Sequence, residues 1–280
     1  MKPTRAPASS PVSDPDVEFG VRVPGQILPE EQWARTALRK LPPPGPLDFA
    51  EIFGRTAPIV LDIGCGNGRS TLCSALARPD HDHLASDVLP VVIRYGTRRA
   101  NQRGLHNVRF AVIGGKELLE QYIAPGTIAE IDCYHPQPYY ERREIFKRLI
   151  TPRFLSLAHQ ALVPGGTLIL QTDNPTYAKY MREVLPALFV VTEHPAPWPD
   201  APRGRTRREI LALREQLPIY RAVCQARTDI PEAERLRLEE ELPFPRFNAD
   251  RKLARLDQLE REGGAGPKRV PAKGPKPKRR

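Results

Sequence analysis

The segment Ile59-Val60-Leu61-Asp62-Ile63-Gly64-Cys65-Gly66-Asn67-Gly68 runs an apolar, β-branched stretch straight into Gly-x-Gly-x-Gly, and Asp87 closes the next apolar segment. A short apolar run bounded by turn formers reads as a central strand of a parallel sheet, buried on both faces. The glycines let the backbone turn sharply and approach a ligand closely. A carboxylate ending the second segment can accept both hydroxyls of a ribose. These features together predict an α/β fold that holds a nucleoside-bearing cofactor.

The spacing of the glycines narrows the cofactor. A dinucleotide fingerprint, Gly-x-Gly-x-x-Gly, has its third glycine one residue later and aims a helix N-terminus at a pyrophosphate. The tighter loop here suits S-adenosylmethionine, which has no phosphate and ends in a cationic amino acid. Taken alone, the loop also fits an ordinary glycine turn beside a surface aspartate. A dinucleotide-dependent oxidoreductase is disfavoured by the early third glycine.

A chain of 280 residues can bury one good core and a small appendage. Residues 1–25, rich in Pro, Ser and Asp, read as a disordered segment. Residues 26–228 read as the main domain, with a short helix around Glu30 to Lys40 ahead of alternating strands and helices. Strands are predicted at 59–63, 83–87, 108–113, 128–134, 167–171, 189–193 and 220–226, and helices at 70–76, 90–103, 116–122, 144–161 and 175–185. That count predicts a doubly wound, seven-stranded, mostly parallel sheet, Rossmann-like, as in a class I methyltransferase. Residues 229–262 read as a charged helical extension, and 263–280 as a disordered basic tail.

Composition limits the partners. The formal charge of +10 favours a polyanion, although charge alone says little. No apolar run reaches transmembrane length and no secretory signal opens the chain, so a cytoplasmic protein without a membrane role is expected. The cysteines, Cys65, Cys73, Cys133 and Cys224, lack metal-type spacing and read as reduced thiols, and no metal is implied. Oligomeric state, monomer or homodimer, is left open.

Several separate motifs between Leu41 and Ala226 carry a resemblance to a known family. They are Pro46-Leu47-Asp48-Phe49 with Ile52-Phe53-Gly54; the glycine loop; His135-Pro136-Gln137-Pro138-Tyr139; Lys147-Arg148-Leu149-Ile150; Pro164-Gly165-Gly166 leading to Thr172-Asp173-Asn174; and Thr206-Arg207-Arg208-Glu209. In these the chain resembles the bacterial tRNA (guanine-N7)-methyltransferases. The resemblance implies S-adenosylmethionine as methyl donor and tRNA as partner. It implies that Gly64, Gly66 and Gly68 line the methionine and ribose, that Asp87 takes the ribose hydroxyls, and that Gly114 stands at the adenine. Asp62 either reaches the ammonium end through water or is a buried carboxylate bonded to loop amides.

On the substrate side, the resemblance implies that Asp173 and Glu209 hold the Watson–Crick edge of guanine, whose N1–H and N2–H a carboxylate accepts in bidentate fashion. Thr172 and Thr206 support them, and Gln137 shares the catalytic position with Asp173. The residues alone leave other roles open: Asp173 as a helix cap, Glu209 as one charge of an exposed helix. Arg142, Arg143, Lys147 and Arg148 form a basic segment suited to phosphates, or a solvated helix face.

The chain departs from the family pattern at telling points. Gln137 stands for the usual aspartate between the prolines, Tyr139 for tryptophan, Glu141 for lysine, and Ile113-Gly114-Gly115 for an acidic residue at the adenine. Glutamine has one accepting oxygen beside its donors and cannot copy a carboxylate. Two rival readings follow: methylation of an exocyclic amine, since Pro136-Gln137-Pro138-Tyr139 faintly matches a Pro-Pro-aromatic motif, or a catalytically silent RNA-binding relative. A tail that contacts phosphates would flatten the salt dependence of binding when removed, by roughly 0.7 to 0.9 in log–log slope per lost contact.

Overall fold

The apolar segments assemble into one sheet in a computed structural model that describes residues 16–37 and 39–262. A small hairpin, β1 (Val17–Glu18) and β2 (Val21–Arg22), comes first. Then follow α1 (Phe49–Phe53), β3 (Ile59–Ile63), α2 (Arg69–Ala77), β4 (Asp82–Asp87), α3 (Pro90–Gln102), β5 (Val108–Val112), α4 (Gly115–Tyr122) and β6 (Ile128–Tyr134). The second half holds α5 (Pro152–Ala161), β7 (Leu162–Thr172), α6 (Pro175–Val184), β8 (Phe189–Glu193), α7 (Arg207–Arg214), β9 (Tyr220–Ala226), α8 (Glu232–Glu241) and α9 (Ala254–Glu262). The seven-stranded sheet runs β5-β4-β3-β6-β7-β9-β8, with β9 antiparallel to both its neighbours.

Side-chain alternation on these strands explains the three layers. Leu61 and Leu84 point to one face and pack with α4, α5 and α6, whereas Ala85 and Phe110 point to the other, against α2 and α3. Every residue of β3 is buried, as a strand covered on both faces must be. Helix starts follow local chemistry: Thr151 and Asn174 cap α5 and α6 by accepting from Phe154 N and Tyr177 N, each followed by proline at the first helical position. The chain winds outward from β3 to β5, then crosses to β6 on the far side of β3. That reversal opens a crevice at the carboxyl ends of the strands, where such sheets bind ligands.

The structure differs from the sequence reading in four places. Among the described residues of the 30–40 segment there is no helix beyond a single 3-10 turn at Glu30–Gln32; Ala37 O and Arg39 N instead bond Phe110 at the sheet edge. The helix expected over 144–161 is cut by Pro152 into a 3-10 turn (Arg142–Lys147) and α5. Residues 16–25, expected to lack order, carry the hairpin, tied down by Arg99 bonds to Asp16 and Glu18. The extension is not merely a charged surface: Leu253 and Leu256 bury against Leu211, and Arg235 donates to Ser156 Oγ of α5. The expected disorder of residues 1–15 and the basic tail at 263–280 lie outside the described residues.

Among the described residues, no helix is long and apolar enough to cross a membrane, and no cluster of His, Cys, Asp or Glu could hold a metal ion. All four cysteines are free thiols.

Candidate active site

The carboxyl ends of β3, β4 and β6 and the loop after β5 open into one cleft of about 2170 Å³. A pocket for a single drug-sized ligand needs only about 300–1,000 Å³, so this cleft has room for two. Gly64, Gly66, Asp87, Gly114, Gln137 and Thr206 all line it.

The glycine loop divides its labour. Gly64 and Gly66 have positive φ, and a Cβ added at either would meet nothing within 4 Å, so the loop presents bare backbone to open space. Gly68 is different: a Cβ there would stand 2.8 Å from the Phe110 ring and 3.0 Å from the Gly96 backbone. Gly68 lets α2 approach α3 and the Phe110 ring closely. Asp87 braces the loop from the next strand, its Oδ2 accepting from Gly66 N at 3.1 Å and its Oδ1 from Leu89 N at 2.9 Å. The carboxylate keeps lone pairs for a ligand hydroxyl. These residues fit a nucleoside whose ribose lies at Asp87 and whose other end crosses the glycine loop.

Asp62 does not line the cleft. It lies under the loop, 3% exposed, accepting from Thr71 Oγ1 at 2.6 Å and paired in strand register with Asp132. Burial pushes its carboxyl from 3.8 up to about 6, against the pull of the Thr71 bond, and Asp132 is pushed up as well. The folded protein therefore holds a proton that the unfolded chain releases at lower pH, and stability from this site declines as pH rises through about 6. Asp62→Asn is expected to gain stability relative to wild type between about pH 4 and pH 7 in urea unfolding. A difference that ignores pH would mean the carboxyl never carries that proton.

On the substrate side, the loop after β6 is strained. His135 and Tyr139, both non-glycine, have φ of 51° and 46° on either side of Pro136-Gln137-Pro138. Such conformations cost roughly 1–3 kcal/mol each and persist where surroundings enforce them. Here the enforcer is Arg148, which the sequence reading gave to phosphates. It is buried, donates to Pro138 O at 2.6 Å and Tyr139 O at 2.9 Å, and stacks 3.8 Å from the Phe247 ring centroid. The held loop leaves Gln137 exposed on the cleft wall. Arg142 and Arg143 are exposed on the following 3-10 turn, Arg142 beside the exposed ring of Phe146 in a shallower pocket.

The two carboxylates expected at the guanine edge are both engaged within the protein. Asp173 is 6% exposed, bonded to His135 Nδ1 at 3.3 Å and Arg208 Nε at 2.7 Å, and Arg208 also reaches Asp257 of α9. Burial raises the Asp173 carboxyl, but His135 and Arg208 outweigh it and hold it well below the usual range. Glu209 is fully buried; its Oε1 accepts from Arg221 Nε and Nη2 at 3.0 and 2.8 Å, and its Oε2 from Arg205 N at 2.7 Å. Thr206 Oγ1 accepts from Glu209 N at 3.1 Å, which makes Thr206-x-x-Glu209 the start of α7, a signature readable in the sequence as a helix-capping pattern. Thr206 keeps its hydroxyl hydrogen for the cleft, whereas Glu209 is fully buried with both oxygens engaged. Thr172 Oγ1 likewise accepts from Asn174 N at 3.1 Å. No sequence signal gave Arg148 or Arg208 the role seen here, because their partners are backbone atoms or distant residues.

Residues 56–222 match a family model described as "Putative methyltransferase". A tRNA (guanine-N(7)-)-methyltransferase from Halorhodospira halophila is 34% identical over 193 residues, covering 68% of this chain and 84% of that one. Another of the same name from Bordetella pertussis is 37% identical over 174 residues, covering 61% and 68%. The 16S rRNA methyltransferase KamB has a TM-score of 0.49 at 14% identity, covering 64% of this chain and 92% of its own.

Proposed function

This chain belongs to the tRNA (guanine-N7)-methyltransferase family of class I methyltransferases, and on that footing we propose that it methylates N7 of a guanine in tRNA, in the cytoplasm, with S-adenosylmethionine as donor. The observation that carries the reading is the meeting, in one cleft, of an open glycine loop braced by Asp87 with the exposed Gln137 and the half-buried Thr206. When bound, the donor supplies a methyl group on sulfonium sulfur, which takes the carbon–sulfur electron pair as the N7–carbon bond forms. Guanine N7 already bears a free lone pair, so no residue of the chain need remove a proton from it. That accords with Asp173 and Glu209, which are buried in ion pairs and do not line the cleft.

What the chain contributes is position. Asp87 accepts from ribose, and the bare backbone of Gly64 and Gly66 lets the donor lie close. Gln137 meets the base edge, where its carbonyl offers a single neutral acceptor to N1–H. Arg148 fixes the loop that carries it, which makes Arg148 a positioning residue for an in-line approach. Arg142 and Arg143 supply exposed charge for the backbone of a base drawn out of its stack.

The test is transfer of labelled methyl from S-adenosylmethionine to unmodified tRNA, followed by chemical cleavage of the product at 7-methylguanine. Label in tRNA with cleavage at one guanine is the expected result. Label without cleavage would point to amine methylation, and donor binding without transfer would point to a silent RNA-binding relative.

A further inference from the structure

Beside the glycine loop lies a group of arginines with too few acceptors. Arg69 opens α2, Arg99 lies in α3 and Arg207 opens α7; each is at least nine-tenths buried, and all converge on Glu18 of the hairpin. Arg99 Nη1 donates to Glu18 Oε1 at 2.8 Å, and Asn67 Nδ2 donates to the same oxygen. Arg69 Nη1 stands 3.5 Å from Glu18 Oε2, and Arg207 Nε stands 4.0 Å from Oε1. Asp16 occupies the other Arg99 nitrogens, at 2.9 Å each.

A set of unmade bonds remains. Among the described residues, Arg69 Nη1, Arg207 Nε and Arg207 Nη2 have no hydrogen-bond partner, nor does Glu18 Oε2. Buried charged groups rarely stay unsatisfied without a ligand or water to meet them. Glu18, Asn67, Arg69 and Arg207 all line the main cleft next to Gly66. The uncapped first turn of α2 faces the same space, which adds backbone N–H groups favourable to an anion.

We propose that this cluster clamps the zwitterionic amino-acid end of the methyl donor, with Arg69 and Arg207 taking the α-carboxylate and Glu18 taking the α-ammonium. The inference rests on the donor identity proposed above. An RNA phosphate fits the arginines but would face the Glu18 carboxylate with like charge. An α-amino acid meets both signs at once, and the donor's amino-acid end is the part of it that crosses the glycine loop. Arg69, Arg207 and Glu18 all lie outside the strand–loop signature that first suggested the cofactor, and Glu18 comes from the hairpin.

Calorimetry with two ligands tests the clamp: S-adenosylhomocysteine, which keeps the amino-acid end, and 5′-methylthioadenosine, which lacks it. In Arg207→Gln and Glu18→Gln, affinity for S-adenosylhomocysteine should fall about ten- to hundredfold, as for loss of a charged hydrogen bond, with methylthioadenosine changed less than about twofold. Arg207→Lys should recover part of the loss. Equal losses for both ligands, or none for either, overturn the clamp and leave the donor assignment standing, as does weakened tRNA binding with unchanged S-adenosylhomocysteine affinity. Wild-type protein that binds neither ligand overturns the donor assignment and the clamp with it.

Discussion

Replacing Glu209 with alanine is expected to cost about 3–5 kcal/mol of folding stability, because it strands a buried guanidinium. Glu209 and Arg221 are 0% and 3% exposed, and Arg221 directs two nitrogens at one carboxylate oxygen. The other oxygen closes the first turn of α7 by accepting from Arg205 N. Removing the carboxylate therefore breaks a helix start and an ion pair together. Urea unfolding at neutral pH measures the cost. Replacing both partners by apolar residues of similar volume should recover much of it, since a missing pair is cheaper than a lone buried charge. A Glu209→Ala protein that folds with wild-type stability yet transfers no methyl group would return Glu209 to the role of gripping the base.

The same residue shows where sequence reading succeeds and where it stops. The central strands were legible almost to the residue, since a strand covered on both faces reads as a mostly apolar run between turn formers, as Ile59–Ile63 does around Asp62 and Ile128–Tyr134 around Glu130 and Asp132. The glycine loop and Asp87 were legible because their chemistry is local. What failed depends on partners far along the chain. Ala37 and Arg39 give up helix for bonds to Phe110, over seventy residues away, which no local propensity reveals. Arg148 looks like a surface cation until the strained loop it holds is seen. Gly68 counts as part of the motif by spacing, yet its bare face meets Phe110, a residue two strands further on. Asp173 and Glu209 were placed near the cleft by motif, but whether a carboxylate is free depends on which arginines the fold brings to it.

Gln137→Asp is expected to raise the rate of methyl transfer about ten- to hundredfold, the equivalent of roughly 1.4–2.8 kcal/mol of barrier. The gain arises from how charge moves in the reaction. As N7 takes the methyl group the purine becomes cationic, and its N1–H and N2–H become stronger donors. A carboxylate beside that edge gains more in the transition state than in the ground state, and only such a difference accelerates the chemical step. An amide carbonyl offers a neutral acceptor, and charge-assisted bonds are roughly twice as strong as neutral ones. Gln137 is exposed on the cleft wall, so an aspartate there loses little hydration in the free protein. Because Arg148 holds the loop through backbone carbonyls, the substitution leaves that anchoring intact. Single-turnover transfer to unmodified tRNA separates the chemical step from binding. A gain in the transfer rate with little change in tRNA affinity is the expected pattern. If the aspartate variant is slower than wild type, glutamine reads O6 and N1–H as the site's own specificity device, and the acidic residue usual at this position is not what this chain lacks.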